Sequence, residues 1–286
     1  MTEQRKRPVS GAKAKPVTGP ATERDPEPRV ALVTGAARGI GAATVAALVA
    51  GGWNVMAVDV CAHDPAVPYP LGHRDDLAKV AAELGPAVAT FEADTRDVSV
   101  LAKAVMATER TFGGLDAALA IAGVIAGGVP AWEMPSDQQQ AVLDIDLGGV
   151  LNLARVAVPA MLRRPQPRHG RFLAVSSVAA TRGLPLLAAY CAAKAGVAGF
   201  VRALATELRG TGVTANAVSP GSTATRILDE SARLYGLPSA NSFASQQAHE
   251  RLLGADEVAA VLAFLAGDGA SGMTGAIVPV DGGMAI

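Results

Sequence analysis

The chain has 286 residues, half of them hydrophobic but only 4% aromatic, and a formal net charge of -1. A core built mainly from Ala, Val, Leu and Gly suits close helix-on-sheet packing, and the balanced charge supplies no field for nucleic acid or an anionic membrane. The two cysteines, Cys61 and Cys191, and the four histidines are scattered and match no C-x-x-C or zinc spacing, so reduced thiols in a cytoplasmic enzyme and no metal are expected.

Residues 1–28 carry Arg5, Lys6, Arg7, Lys13 and Lys15 among several prolines, with no apolar run. A secretory signal needs an apolar segment, so a disordered tail is expected. No later apolar stretch is long enough without Gly or charge to predict a transmembrane helix. From residue 29 onward, β-rich runs at 29–34, 54–58, 87–91, 116–121, 170–176, 213–218 and 276–280 alternate with Ala- and Leu-rich stretches of helical spacing. Examples of the latter are 40–50, 99–111 and 190–209. Alternation of this kind predicts an α/β fold, a parallel doubly wound sheet covered by helices on both faces. No linker interrupts it, so 29–286 is expected to form one domain. Two stretches stand apart. Residues 61–76 contain three prolines directly after the second strand and predict a stiff inserted loop. Residues 226–251 follow the sixth strand and predict a lid over the ligand crevice.

The first strand runs into Thr34-Gly35-Ala36-Ala37-Arg38-Gly39-Ile40-Gly41 and then a helix. Glycines at 35, 39 and 41 permit a sharp turn, close approach of a pyrophosphate, and tight packing of helix on strand. The Lys and Ser/Thr of a nucleoside-triphosphate loop are missing. Asp59 closes the second strand, eighteen residues beyond Gly41, where a carboxylate accepts from adenosine ribose hydroxyls and repels a 2′-phosphate. That selects NAD; Arg38 is the counter-signal, because it can pair with a 2′-phosphate. Asp94, ending the third strand, can accept from the adenine amino group or cap the next helix, a role Asp97 and Ser99 also suit.

Tyr190 and Lys194 are four apart on one helical face, and Ser177 lies just beyond the fifth strand. Taken with the glycine turn and Pro220-Gly221 after the sixth strand, these residues suit hydride transfer between a nicotinamide and a secondary alcohol or its ketone. Oxidising an alcohol needs a base for the O–H proton. A free tyrosine has a pKa near ~10, so a base near neutral pH calls for a shift of about three units, or roughly 4 kcal/mol. A neighbouring ammonium and the positive nicotinamide can supply it.

From residue 29 to the C-terminus the chain resembles the short-chain dehydrogenase/reductase family. The resemblance rests on TGAARGIG at 34–41, Asp59, Asp94, SSVAA at 176–180, YCAAK at 190–194, NAVSPG at 216–221 and DGG at 281–283. It implies a single Rossmann-type domain with a seven-stranded sheet, usually in a homotetramer. It further implies Tyr190 as acid/base, Lys194 as its activator and Ser177 as partner of the substrate oxygen. Cofactor contacts are implied at Gly35, Arg38, Gly39, Ile40, Gly41, Asp59, Asp94, Thr95, Ala122, Gly123, Tyr190, Lys194, Pro220, Gly221 and Thr223.

Two departures from the family pattern stand out. Ile121-Ala122-Gly123 replaces Asn-Ala-Gly, and Asp146 replaces an Asn in the fifth helix that braces the 121 region and helps relay protons to the lysine. Asp146 keeps the backbone carbonyl and loses the amide donor. The insertion is similar to that of the carveol-dehydrogenase-like subgroup associated with mycofactocin, which implies NAD held tightly and re-oxidised by an external acceptor. Two alternatives are an NADPH-dependent ketone or 3-oxoacyl reductase, against which Asp59 argues, and a non-catalytic NAD-binding regulator on the same fold.

Overall fold

The apolar runs become seven parallel strands: β1 (Val30–Thr34), β2 (Asn54–Asp59), β3 (Val88–Glu92), β4 (Ala117–Ala120), β5 (Gly170–Val175), β6 (Val213–Pro220) and β7 (Ile277–Val280). This computed structural model describes residues 28–286, so the expected tail lies outside the described residues except for Pro28. The spatial order is β3-β2-β1-β4-β5-β6-β7. The chain therefore reverses its direction of winding between β1 and β4, and a crevice opens there at the carboxyl ends of the strands. β1, β4 and β5 are buried along their whole length, which is why each reads as an unbroken apolar run.

Among the described residues are eight α-helices, six of which cover the sheet: α1 (Gly39–Ala50), α2 (Arg74–Leu84), α3 (Val98–Phe112), α4 (Ser136–Leu143), α5 (Gly149–Leu162), α6 (Ala188–Glu207), α7 (Arg226–Leu234) and α8 (Ala255–Ala266). One face of the sheet packs on α3, α5 and α6 through residues such as Leu101, Leu153, Phe172 and Val201. The other packs on α1, α2 and α8 through Val45, Leu77, Leu173 and Leu262. Between α4 and α5 the helix widens into a π turn over Asp144–Gly148, whose extra residue changes which side chains face inward. No helix among the described residues is long and apolar enough to cross a membrane.

The inserted segment corrects one expectation. Residues 74–76 are not loop but the first turn of α2, with the Asp76 carboxylate accepting from the His73 backbone N–H at 3.0 Å. The remainder, 61–73, is a strap. Along it Val67, Tyr69 and Leu71 are buried, and Pro68 and Pro70 between them are exposed. An extended chain sends alternate side chains to opposite sides, and each proline fixes its own φ and biases its predecessor to extended geometry. The strap thus lays an apolar edge inward. It forms a third core with Val124, Ile125, Val142, Ile145, Leu187 and Ala193, the wall of the crevice beside α4 and α6.

Candidate active site

The crevice begins where β1 ends. The Thr34 hydroxyl accepts from the backbone N–H groups of Ile121 (3.1 Å) and Ala122 (3.3 Å), tying β1 to the segment that leaves β4. Gly35 follows with φ +68°, and a Cβ on it would stand 2.7 Å from the Ala122 Cα, so no side chain fits. Helix α1 then starts with no side-chain cap, which leaves its first N–H groups and the positive end of its dipole facing the crevice. These are the features a dinucleotide pyrophosphate requires.

Asp59 stands beside this turn, largely buried at the end of β2. Its Oδ2 accepts from the Ala37 N–H at 3.0 Å. The strap passes directly over it: a Cβ on Gly72 would lie 3.1 Å from Asp59 Oδ1. Arg38 is engaged, donating from Nη2 to the Pro70 carbonyl at 2.6 Å, so its charge clamps the strap. A second clamp is Arg96, which reaches Asp94 at 2.6 Å and the strap's buried Asp64 at 2.7 Å. Burial would raise the Asp94 pKa, but hydrogen bonds from Arg96 hold it below the ordinary carboxylate value. Asp94 does not cap α3; Asp97 does, accepting from Ser99 and Val100.

The other half of the site is built on α6 and the end of β5. Ser177 is extended just past β5, its Oγ accepting from the Ala179 N–H at 3.1 Å, and its hydroxyl faces Tyr190 and favours the ionised phenol. Tyr190 and Lys194 lie one turn apart on α6, with the Lys194 Nζ 5.5 Å from the centre of the tyrosine ring. The Ser176 hydroxyl donates to the Lys194 carbonyl at 3.0 Å and pins this helix to β5. Lys194 is 4% exposed, and its Nζ meets the Val175 carbonyl at 3.2 Å and Asp146 Oδ2 at 3.0 Å. Asp146, fully buried on the π turn, also accepts from the Val124 N–H through Oδ1 at 2.8 Å. The brace from this position to the segment after β4 is therefore present, carried by a carboxylate.

The electrostatics follow from burial. Desolvation pushes the Tyr190 phenol up; the Lys194 ammonium opposes that and Asp146 adds to it, leaving the group above its ordinary value. Burial also raises Asp146, despite Lys194. Burial lowers Lys194, but Asp146 and Tyr190 together outweigh it and the ammonium holds its proton more tightly than usual.

One cavity of about 1440 Å³ contains every site position singled out from the sequence except Asp146, which sits behind Lys194. A pocket for one small molecule occupies roughly 300–1,000 Å³, so this one has room for a dinucleotide and a second ligand. Sequence reasoning missed the Thr34 bridge, Tyr69 and Asn152. The Tyr69 hydroxyl accepts from the Ile125 N–H at 3.1 Å, and the Asn152 amide donates to the Thr95 carbonyl at 3.0 Å. Thr34 stood next to the glycine turn and could have been found; the other two carry no local signal.

Such an arrangement, with a doubly wound sheet, a glycine turn and a Ser/Tyr/Lys group at the crevice, defines a nicotinamide-type dehydrogenase scaffold. Residues 35–285 match the family model described as enoyl-(acyl carrier protein) reductase. The chain is 34% identical to the 2-dehydro-3-deoxy-L-rhamnonate dehydrogenase (NAD(+)) of a Sphingomonas species, covering 89% of this chain and 94% of that one. It is also 34% identical to the (-)-trans-carveol dehydrogenase of Rhodococcus erythropolis, over 90% and 97% of the two chains. The crystal structure of carveol dehydrogenase from Mycobacterium avium in complex with NAD superposes with a TM-score of 0.85 at 31% identity, covering 90% of this chain and 97% of that one. The chain belongs to the short-chain dehydrogenase/reductase family and is an oxidoreductase.

The Tyr69 contact generates a stability prediction. Tyr69→Phe leaves the buried Ile125 N–H without its acceptor and should cost about 1–3 kcal/mol, read as a lower urea midpoint at unchanged slope. A midpoint equal to wild type would show that the strap is not held there.

Proposed function

We propose that the chain oxidises a secondary alcohol with NAD, using Tyr190 as base, Lys194 as its activator and Ser177 to fix the reacting oxygen. The observation that carries this is the convergence of Ser177, Tyr190 and Lys194 on the same crevice as the uncapped α1 and the buried Asp59. The nicotinamide, when bound, supplies the hydride acceptor. The first turn of α1 and Gly35, Gly39 and Gly41 would hold the pyrophosphate. Asp59 would accept from the ribose hydroxyls. Pro220, Gly221 and Thr223, at and beyond the end of β6, would line the nicotinamide end. Tyr190 takes the alcohol proton at its phenolic oxygen as hydride departs, and the Ser177 hydroxyl orients the same oxygen. Lys194 favours the phenolate through its charge.

The choice of NAD over NADP rests on Asp59 and on Arg38 being occupied by Pro70; the relative named for NAD(+) and the solved carveol dehydrogenase with NAD support it. The substrate end is lined by Ile125, Leu187, Ile227, Tyr235, Leu237 and Phe243, which suits a bulky apolar alcohol. There Tyr235 donates to the Pro185 carbonyl and packs edge-on against Phe243, so the 226–251 segment closes this end as an ordered lid. Exposed Leu151 on α5 and Phe264 on α8 offer apolar surface for a homotetramer. The strap, clamped by Arg38 and Arg96, supports a cofactor that stays bound and is re-oxidised by an external acceptor such as mycofactocin.

Three measurements test this reading. Tyr190→Phe should lower turnover more than a thousandfold while the protein still binds NAD in calorimetry; activity above a tenth of wild type ends the assignment. Asp59→Ser should weaken NAD binding about tenfold or more and narrow the preference over NADP, and a wild-type protein that already prefers NADP would refute the cofactor choice. The purified protein, denatured mildly and analysed by mass spectrometry, should release NAD. With carveol as probe it should reduce that NAD once per site, then continue only with an artificial electron acceptor. Linear NADH formation over many equivalents of free NAD would make the strap an ordinary surface insertion.

A further inference from the structure

The family pattern has an amide where this chain has Asp146, and the structure shows what the change does to charge. An asparagine at this position could accept from the Val124 N–H as Oδ1 of Asp146 does, so the brace alone does not require a carboxylate. The second oxygen is what differs. Oδ2 stands 3.0 Å from the Lys194 ammonium, with both side chains out of water. The ionised pair has no net charge, and a cation so neutralised does less to favour a phenolate nearby.

The other groups around the pair do not alter that balance. Tyr190 is faced by Lys194, Asp146, the Cys191 thiol and the Ser177 hydroxyl. Asp146 also acts on Tyr69, whose phenol is pushed up chiefly by its own burial and stays neutral. Lys194 has one further partner, the neutral Val175 carbonyl. Within this group the permanent charges are therefore Lys194 and Asp146, which act on Tyr190 in opposite directions.

We propose that Asp146 is a positioning residue that holds the Lys194 ammonium in a neutral ion pair, confining Tyr190 to work as a base in alkaline solution and as an acid near neutrality. This rests on the assignment of Tyr190 made above. Exchanging the carboxylate for an amide of the same shape frees the full positive charge for the tyrosine and moves its ionisation to lower pH.

The chain has three tyrosines, so the ionisation of Tyr190 can be isolated without any assay of activity. The near-ultraviolet tyrosinate titration of the full chain is recorded with and without Tyr190→Phe, and the difference is Tyr190. The same difference is then taken in an Asp146→Asn background. The expected result is a Tyr190 midpoint lower by about one unit or more, a tenfold change in its ionisation constant. An unchanged or higher midpoint overturns the proposal. Asp146→Ala separates charge from structure, since it removes the Val124 acceptor as well and should unfold at lower urea than Asp146→Asn. If Asp146→Asn keeps wild-type stability and leaves the midpoint where it was, Asp146 is a brace only and the proposal fails. The acid limb of kcat/KM for carveol oxidation with NAD should move with the midpoint in Asp146→Asn. A midpoint that moves while this limb stays fixed confirms the charge pairing but removes Tyr190 as the base, which locates the failure in the functional reading.

Discussion

A lysine ammonium taken almost wholly out of water is the constraint around which this site is organised. An isolated charge in such a place costs far more than a folded domain can tolerate, so it must be paired and hydrogen-bonded. Lys194 meets that demand with the Val175 carbonyl at the end of β5 and the carboxylate of Asp146. The demand then spreads. Asp146 reaches inward because the helix between α4 and α5 widens into a π turn, and its Oδ1 holds the segment after β4 through Val124. That segment is held again by Thr34 from β1 and by Tyr69 from the strap. Five separate stretches of chain are thus fixed around one buried cation, and together they form the crevice wall beside the Ser177–Tyr190 pair.

The end of the crevice beside Asp59 is governed by packing as much as by charge. The strap has no regular ladder of hydrogen bonds, yet its inward edge of Val67, Tyr69 and Leu71 is as buried as a strand of the core. Its outward prolines reduce the freedom the segment would have when released, which favours the closed form through the entropy of the open one. Two arginine clamps from different loops add polar ties at Asp64 and Pro70. Exposed ion pairs contribute little to stability, but Asp64 is buried and Arg96 shares itself between two carboxylates, a geometry that favours a defined position.

Much of this was legible in the chain itself. Strands buried on both faces leave continuous apolar runs, and the turn after β1 admits only glycine at 35, so both stood out. Asp59 and the Tyr190–Lys194 spacing were equally plain, because each depends on residues near in sequence. The start of α2 was misplaced because three prolines drew the loop too far, although Asp75 and Asp76 after His73 form an acidic first turn typical of a helix beginning. What stayed hidden were contacts between segments remote in sequence: Arg38 with Pro70, Tyr69 with Ile125, Asn152 with Thr95. The departure at Asp146 was visible, but its meaning depended on a π turn for which residues 144–148 carry no local signature.

The position of Arg38 has a consequence for anyone reshaping this enzyme. It sits inside the glycine turn, where an arginine can pair with a 2′-phosphate, and here it ties that turn to the strap through the Pro70 carbonyl. Retargeting the protein toward the phosphorylated cofactor by removing Asp59 would not release that guanidinium, since Pro70 still holds it. Drawing it away would loosen the strap. In this chain the glycine turn and the strap are joined through one guanidinium, and neither can be reshaped alone.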